Sequence, residues 1–285
     1  MSFNKKKQQF IDFCSSNDNQ LHKYNLPKIF LNQKLEAVFI EFRLLHYTSF
    51  IIKNAIKKLG SEWSFTIICG DLNYDFYQHL KNELELDIKI INLGLKNITR
   101  EDYSILLLQS SFWNNFYGDY ILIYQEDSLI FRKFDHKFLK YDFIGAPYTN
   151  KEIGNGGFSL RKKKTMIKIC KEFFDSSIDI IKKNVKILNM KKKLLEEKFP
   201  NQTSKDIFSN KEYYYIYLIE RSILEDLQIC NRIKYHYKGI LPDFNTATEF
   251  SIEKYYNNNA FGGHQFWYCI KDIKKWLDEN FKLLV

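Results

Sequence analysis

Two acids and a hydroxyl follow an apolar run in "YQEDSLIF", where Glu126 and Asp127 are flanked by Gln125 and Ser128. A divalent cation such as Mg²⁺ or Mn²⁺ takes oxygen ligands, commonly one or two carboxylates plus the phosphates of a substrate. Asp127, with Glu126 beside it, meets that need, and Ser128 or Gln125 could touch a sugar or ribose. Acids are also common where a strand simply meets solvent. Both readings stay open on this stretch alone.

Three further stretches carry residue types suited to chemistry. "GNGGFSLR" (154–161) places Gly154, Asn155, Gly156 and Gly157 together, which permits positive φ and lets backbone N–H groups approach a ligand. A tight turn needs one or two glycines, not three, so a binding loop is favoured over a plain turn. The stretch has neither P-loop nor G-x-G-x-x-G spacing. Glu225 and Asp226, inside a helical pattern, could supply a general base if one carboxylate faces a crevice, although solvated helical acids are commoner. "FGGHQFW" sets His264 behind two glycines among aromatics, a setting for a ligand, an acid/base or a phosphate contact as well as for a structural imidazole. Glu253, ending "FSIE", is ambiguous. The other five histidines have no partner spacing and are assigned nothing.

Elements must position these residues. "LEAVFI", "SFTIIC", "LDIKIIN" and "DYILIYQEDSLIF" read as four strands, separated by helical patterns such as "SFIIKNAIKK", with Gly60 as its C-cap, and "TREDYSILLLQSSFWNNF", with Thr99 and Asp102 in capping-box spacing. Strands alternating with helices predict βαβ units and a mainly parallel sheet. In such sheets ligands sit outside the carboxyl ends of the strands. Glu41 and Arg43, Cys69 to Asp71, and Gln125 to Asp127 all lie at such ends and could line one crevice. Phe158 and Leu160 alternate as in a short strand. A basic helix is expected over about residues 162–198, "PNQTSKD" as a linker, another helix through "YYYIYLIERSILEDLQICN", and a strand, polar loop and amphipathic helix at the end.

Composition sets bounds. A chain of 285 residues, 45% hydrophobic and 17% aromatic, can bury a full core, and most of its aromatics belong there. No apolar run reaches the ~18–20 residues that span a bilayer, and the basic start lacks an apolar stretch behind it, so a secretory signal is not expected. Five scattered cysteines without C-x-x-C spacing argue against a disulfide framework and for a reducing, cytoplasmic setting. The net charge of +9 is concentrated in residues 161–200, which hold thirteen Lys or Arg against five Asp or Glu. A diffuse nucleic-acid binder would look different, so no nucleic-acid partner is expected. The basic segment could instead make peripheral contact with an anionic membrane at its inner face, or serve as an ordinary solvated helix face.

Taken in order, "AVFIEFR", "YQEDS", "YDFIGAPY", "GNGGFSLR", "LED", "FSIE" and "GGHQFW" resemble the glycosyltransferase-like DUF5672 domain family, from about residue 35 to 276. Its members show V-E-x-R, Q-T-D-S, Y-D-[YF]-I-G-A-P-W, G-N-G-G-[FL]-S-L-R, E-D, F-S-x-E and a late His near a Trp. The resemblance implies a GT-A-like, Rossmann-like α/β fold in one domain (residues 35–285) with a basic helical insertion at about 162–224, behind an N-terminal helical extension (residues 1–34). It also implies a nucleotide-sugar donor, a glycan or glycolipid acceptor, and Mn²⁺ or Mg²⁺. Asp127 then matches the metal or donor ligand, and Glu126 replaces the family's Thr. Glu41, Arg43, Gln125 and Ser128 fall to the donor, and Tyr148 (in place of Trp), Asn155, Gly156, Gly157 and Trp267 to the acceptor or sugar. Trp113 and Phe158 are further rings for sugar faces. By analogy with inverting galactosyltransferase-like enzymes, Asp226 or Glu225 is the base and His264 completes the metal site with Asp127. A domain that binds a nucleotide or glycan without turnover is the alternative.

Overall fold

In a parallel sheet covered on both faces, strands read as near-continuous apolar runs. The computed structural model, which describes residues 3–150, 152–198 and 223–285, bears this out. After helix α1 (Phe3–Asn17) come β1 (Leu35–Ile40), α2 (Thr48–Leu59), β2 (Trp63–Cys69), α3 (Tyr74–Leu84) and β3 (Ile88–Asn92). Every residue of β1 and β2 is buried. Helices α4 (Arg100–Leu107) and α5 (Ser110–Trp113) lead to β4 (Tyr120–Tyr124), β5 (Ser128–Ile130), β6 (Phe143–Gly145) and β7 (Phe158–Lys162). Then follow α6 (Lys163–Phe173), α7 (Ile178–Lys198), α8 (Glu225–Arg232), α9 (Phe244–Phe250), β8 (Ser251–Ile252), β9 (Gly262–His264), α10 (Ile273–Glu279) and α11 (Phe281–Leu284).

The fold is mixed α/β. A six-stranded sheet has the order β3-β2-β1-β4-β7-β6, with β1 to β4 mutually parallel and β7 antiparallel to both its neighbours. A second sheet, β5-β9-β8, pairs Ser128 with His264 and Leu129 with Gly263. The chain divides into two compact units. The first, Met1–Asn97, Phe116–Thr165 and Lys238–Val285, holds both sheets; the second is Ile98–Asn115 and Met166–Tyr237. In the first, α1 buries Phe10, Phe13 and Cys14, and Phe10 packs on Trp267 and Phe266. In the second, Ile105, Val185, Leu188 and Ile223 form one buried apolar cluster among the described residues. Among the described residues no helix is long and apolar enough to cross a membrane.

Several expected elements hold and several divide. Gly60 caps α2 at φ +76°, and Thr99 accepts from the Asp102 N–H at 3.1 Å to open α4. The helix expected over 99–116 is two, because the Ser110 N–H and hydroxyl both donate to Asp175 (3.0 and 2.6 Å) and start α5 afresh. The basic helix is likewise two, α6 and α7, separated by the 3₁₀ turn Asp175–Ser177. The strand expected through "DYILIYQEDSLIF" also divides. The Ser128 N–H donates to Gln125 O at 3.1 Å, closing a turn that ends β4 and sends β5 into the second sheet. "GGH" is a strand, β9, rather than part of a loop. The linker at 200–206 and the helix expected from 213, up to residue 222, lie outside the described residues.

The turn after β4 is held from behind by Asn54. Its Oδ1 accepts from the Ile130 N–H at 2.9 Å, while its Nδ2 donates to Ile130 O and Leu284 O (3.1 and 2.7 Å). Asn54→Ala leaves those backbone groups unpaired in a dry setting, where each costs ~1–3 kcal/mol. Urea denaturation is therefore expected to show a loss of at least ~2 kcal/mol. An unchanged midpoint contradicts the role given to Asn54.

Candidate functional site

The carboxyl ends of β1 and β4 are adjacent in the sheet, so the residues following each strand face a common edge. After β1, the chain folds back on the Glu41 carboxylate. Glu41 Oε1 accepts from the N–H groups of Phe42 and Arg43 and from Arg43 Nε (2.9, 2.8 and 2.8 Å), and Oε2 accepts from Arg43 Nη2 at 2.6 Å. Asn73, after β2, donates to Glu41 O and Arg43 O (2.8 and 3.0 Å) and accepts from the Gly70 N–H, tying that loop to this one. Arg43 then reaches across to Glu126 at 2.8 Å, and Lys7 of α1 lies 3.7 Å from the same carboxylate. Three of the sequence candidates, Glu41, Arg43 and Glu126, thus meet. The arginine side chain stays half exposed while both acids are buried.

Asp127 faces the other way. Its Oδ1 lies 3.2 Å from His264 Nε2, and on the far side of the ring His264 Nδ1 lies 3.7 Å from Glu253 Oε2. The His264 contacts are close but out of line for hydrogen bonds, so Asp127 Oδ1 and both imidazole nitrogens lack one. The rest of the cluster is bonded. Gln265 donates through Nε2 to Asp127 Oδ2 and through its backbone N–H to Asp127 O (2.7 and 2.9 Å). Asn155 donates to Glu253 Oε2 at 2.6 Å. Gln265 has φ +44°, a region costly for a residue with a side chain, and its two bonds to Asp127 offset that strain.

The glycine-rich stretch works differently from the cradle its composition suggested. Only Gly154 has positive φ, at +118°. The N–H groups of Gly154 and Asn155 donate to Ala146 O, and that of Gly157 to Asn155 Oδ1 at 2.9 Å. These three donors therefore point inward. Gly157 is needed for closeness instead, because a Cβ there would collide with three atoms of the His264 ring. Gly156 O accepts from Ser159 Oγ and from Arg161 Nη2 (3.0 and 3.2 Å), and the fully buried Arg161 stacks over Phe143. Ser128 Oγ donates weakly to Gly157 O at 3.4 Å and accepts from the Gln125 N–H at the same distance.

Charge in this pocket is strongly shaped by burial. Burial, then Asp127 and Glu41 nearby, push the Glu126 carboxyl up to about 7, although Arg43 pulls the other way. Burial would lower His264, but the carboxylates of Asp127 and Glu253 carry it up to about 10. Burial acts against ionising Asp127 as well, yet the neighbouring imidazolium holds it below the ordinary carboxylate range. His264 and Asp127 therefore stand as an ion pair. Tyr47, which the sequence did not single out, is buried close by, and its proton is held tightly by burial and by Glu126 and Asp127.

The remaining candidates have other partners. Glu225 and Asp226 open α8 in the second unit, both buried, with Ser104 Oγ donating to Glu225 at 3.3 Å and the Leu227 N–H to Asp226 at 2.7 Å. Trp267 and Phe158 are fully buried in the core of the first unit, and Trp113 in the second, where it donates to Leu107 O. Their ring faces are taken by neighbouring side chains rather than open to a sugar. Tyr148 keeps partial exposure, with Lys254 5.8 Å from its ring. Glu253 and Gln265 join the site although sequence gave Glu253 no definite role and Gln265 none. Both flank stretches already singled out.

A donor pair such as Asp127 Oδ1 and His264 Nε2, unbonded and 3.2 Å apart, suits a divalent cation that accepts oxygen and imidazole. Among the described residues no group of three or more His, Cys, Asp and Glu gathers as a ligand set. The protein would supply two donors to such an ion, leaving its other positions to water or a bound ligand.

Two predictions test this geometry. Gly157→Ala should cost ~1–3 kcal/mol by overpacking against His264, and most of that cost should vanish in a His264→Ala background. Equal costs in the two backgrounds contradict the contact. For Glu126, the folded carboxyl holds its proton more tightly than the unfolded one, near 4.3, so its effect on stability is least adverse below that value and worsens as pH rises through about 7. In metal-free buffer Glu126→Gln should raise the thermal midpoint at about pH 8, and the gain should shrink as pH falls and vanish below about pH 4. A lower midpoint at the higher pH contradicts the reading.

The profile of DUF5672, described as a protein of unknown function, matches residues 87–264. No curated protein matches the chain. Among solved structures it is similar to the apo-form glycosyltransferase GlyE of Streptococcus pneumoniae TIGR4, at 12% identity and a TM-score of 0.38. That alignment covers 88% of this chain and 64% of the other, so this chain spans less than two thirds of that structure.

Proposed function

The chain belongs to the DUF5672 family, and from that premise we propose that it is a metal-assisted glycosyltransferase using a nucleotide-sugar donor and a glycan or glycolipid hydroxyl as acceptor. The observation that carries the reading is the convergence of Asp127, His264, Glu126 and Arg43 at the carboxyl ends of parallel strands, where open α/β sheets bind ligands.

Glycosyl transfer passes through an oxocarbenium-like state as a nucleoside diphosphate departs, so it needs positive charge at the diphosphate and a base at the acceptor. Asp127 Oδ1 and His264 Nε2 would hold Mn²⁺ or Mg²⁺. A bound ion would neutralise the charge that develops on the departing diphosphate. His264 would bind it as neutral imidazole, giving up its proton on loading. Arg43, fixed by Glu41 and Glu126 but half exposed, offers a second, permanent positive charge to the phosphates. Glu253 and Gln265 orient His264 and Asp127. For the base that inversion requires, Asp226 or Glu225 is the candidate on the resemblance alone; both are buried at the start of α8 in the second unit. Tyr148 remains the aromatic candidate for the sugar.

One feature favours a binding domain without turnover. Asn155 is already spent on Glu253 and on the Gly157 N–H, so this part of the cluster is internally bonded as it stands. The two readings separate in one experiment. The protein is incubated with a panel of UDP-, GDP- and CMP-sugars and Mn²⁺, and both nucleotide release and thermal midpoint are followed. Transfer predicts that one donor is consumed, and that Asp127→Asn cuts consumption by on the order of 10²-fold or more. Stabilisation by a nucleotide without consumption selects the binding domain. No response to any donor, with Asp127→Asn indistinguishable from the parent, overturns both.

A further inference from the structure

Helix α7 carries two apolar faces, and among the described residues only one of them is packed into the second unit. Val185 and Leu188 are buried in that unit's core, with Ile178 and Ile181 packed beside them. Ile180, Ile187, Met190 and Leu194 are 63%, 44%, 61% and 63% exposed. Their intervals of seven, three and four residues place all four on a single stripe along the helix, away from the buried one. Scattered exposed apolar residues need no explanation, but a four-residue stripe spanning four turns does.

The charges beside the stripe point to its occupant. The helix holds seven lysines against three acids. On the helical wheel Lys183 and Lys191 fall within or at the edge of the exposed stripe and Lys186 next to it, and all three are exposed. Asp179 and Glu197, also exposed, fall on the same border as Lys186, so lysines outnumber acids along the stripe by three to two, and Asp179 sits 4.0 Å from Lys182. A helix with isoleucine, methionine and leucine on one exposed face and lysines along its border fits the boundary of an anionic bilayer: the apolar chains enter among the acyl chains and the ammonium groups meet the headgroups. A nucleic acid would use the lysines but leave the aliphatic side chains in water, and a purely solvated face would not need them.

We propose that the exposed stripe of α7 docks the protein peripherally on an anionic membrane surface. This stands independently of the glycosyltransferase reading, since it rests on a different element. The test is co-sedimentation of the full chain with phosphatidylcholine vesicles that contain, or lack, phosphatidylserine. Binding should require the anionic lipid and weaken as salt rises. Exchanging Ile180, Ile187, Met190 and Leu194 for serine should abolish it without lowering the thermal midpoint, because the four are exposed. Lys183→Gln, Lys186→Gln and Lys191→Gln together should weaken it by about tenfold or more. No binding to anionic vesicles at low salt overturns the proposal. So does binding that survives the serine exchanges, or binding to vesicles that a short DNA duplex displaces equally well from parent and serine variant.

Discussion

A buried imidazole held between two carboxylates is the constraint around which the candidate site is arranged. His264 sits between Asp127 and Glu253, and burying three ionisable groups together is tolerable only if each is paired or bonded. The neighbouring chain answers that demand at each point. Asn155 bonds Glu253, Gln265 grips Asp127 from a strained backbone, and Gly157 gives up a side chain so that the ring can fit. What remains unbonded is one oxygen of Asp127 and the imidazole nitrogens. Those are the atoms a cation would want.

The two sheets explain how distant stretches of sequence reach this place. The large sheet delivers Glu41 and the turn at Gln125 to one edge, because β1 and β4 are parallel neighbours. The small sheet then brings His264 opposite Ser128 through the antiparallel pairing of β5 and β9. Glu126 and Asp127 are adjacent in the chain but divide their partners, the first meeting Arg43 and the second His264. The divergence gives the two acids opposite behaviour: one is pushed towards its neutral form, the other is held ionised.

The main elements were legible because their signals are long. β1 and β2 are unbroken apolar runs, α2 ends at a glycine, and α4 begins with a capping box. The small sheet was legible only in part: strands were expected at "FSIE" and through "SLIF", but their separation into a second sheet was not, and "GGH" reads as a loop by composition. Asp127 and His264 stood out by type and setting, whereas Glu253 and Gln265 matter only through contacts that the β5–β9 pairing creates. The glycines of 154–157 were noticed for the right reason of rarity but the wrong reason of chemistry. Composition cannot distinguish a glycine that frees an N–H for a ligand from one that makes room for a ring. Nor can it tell an aromatic side chain at a site from one in the core, as Trp267 and Phe158 demonstrate.

The proposed function requires that Asp127 and His264 hold one divalent ion together when a nucleoside diphosphate is bound. Crystals soaked with Mn²⁺ and UDP or GDP, with anomalous scattering recorded at the manganese edge, test it most directly. One anomalous peak bonded to Asp127 Oδ1, to His264 Nε2 and to the diphosphate is expected. A nucleotide bound without such a peak, with His264 still paired to Asp127, would contradict it.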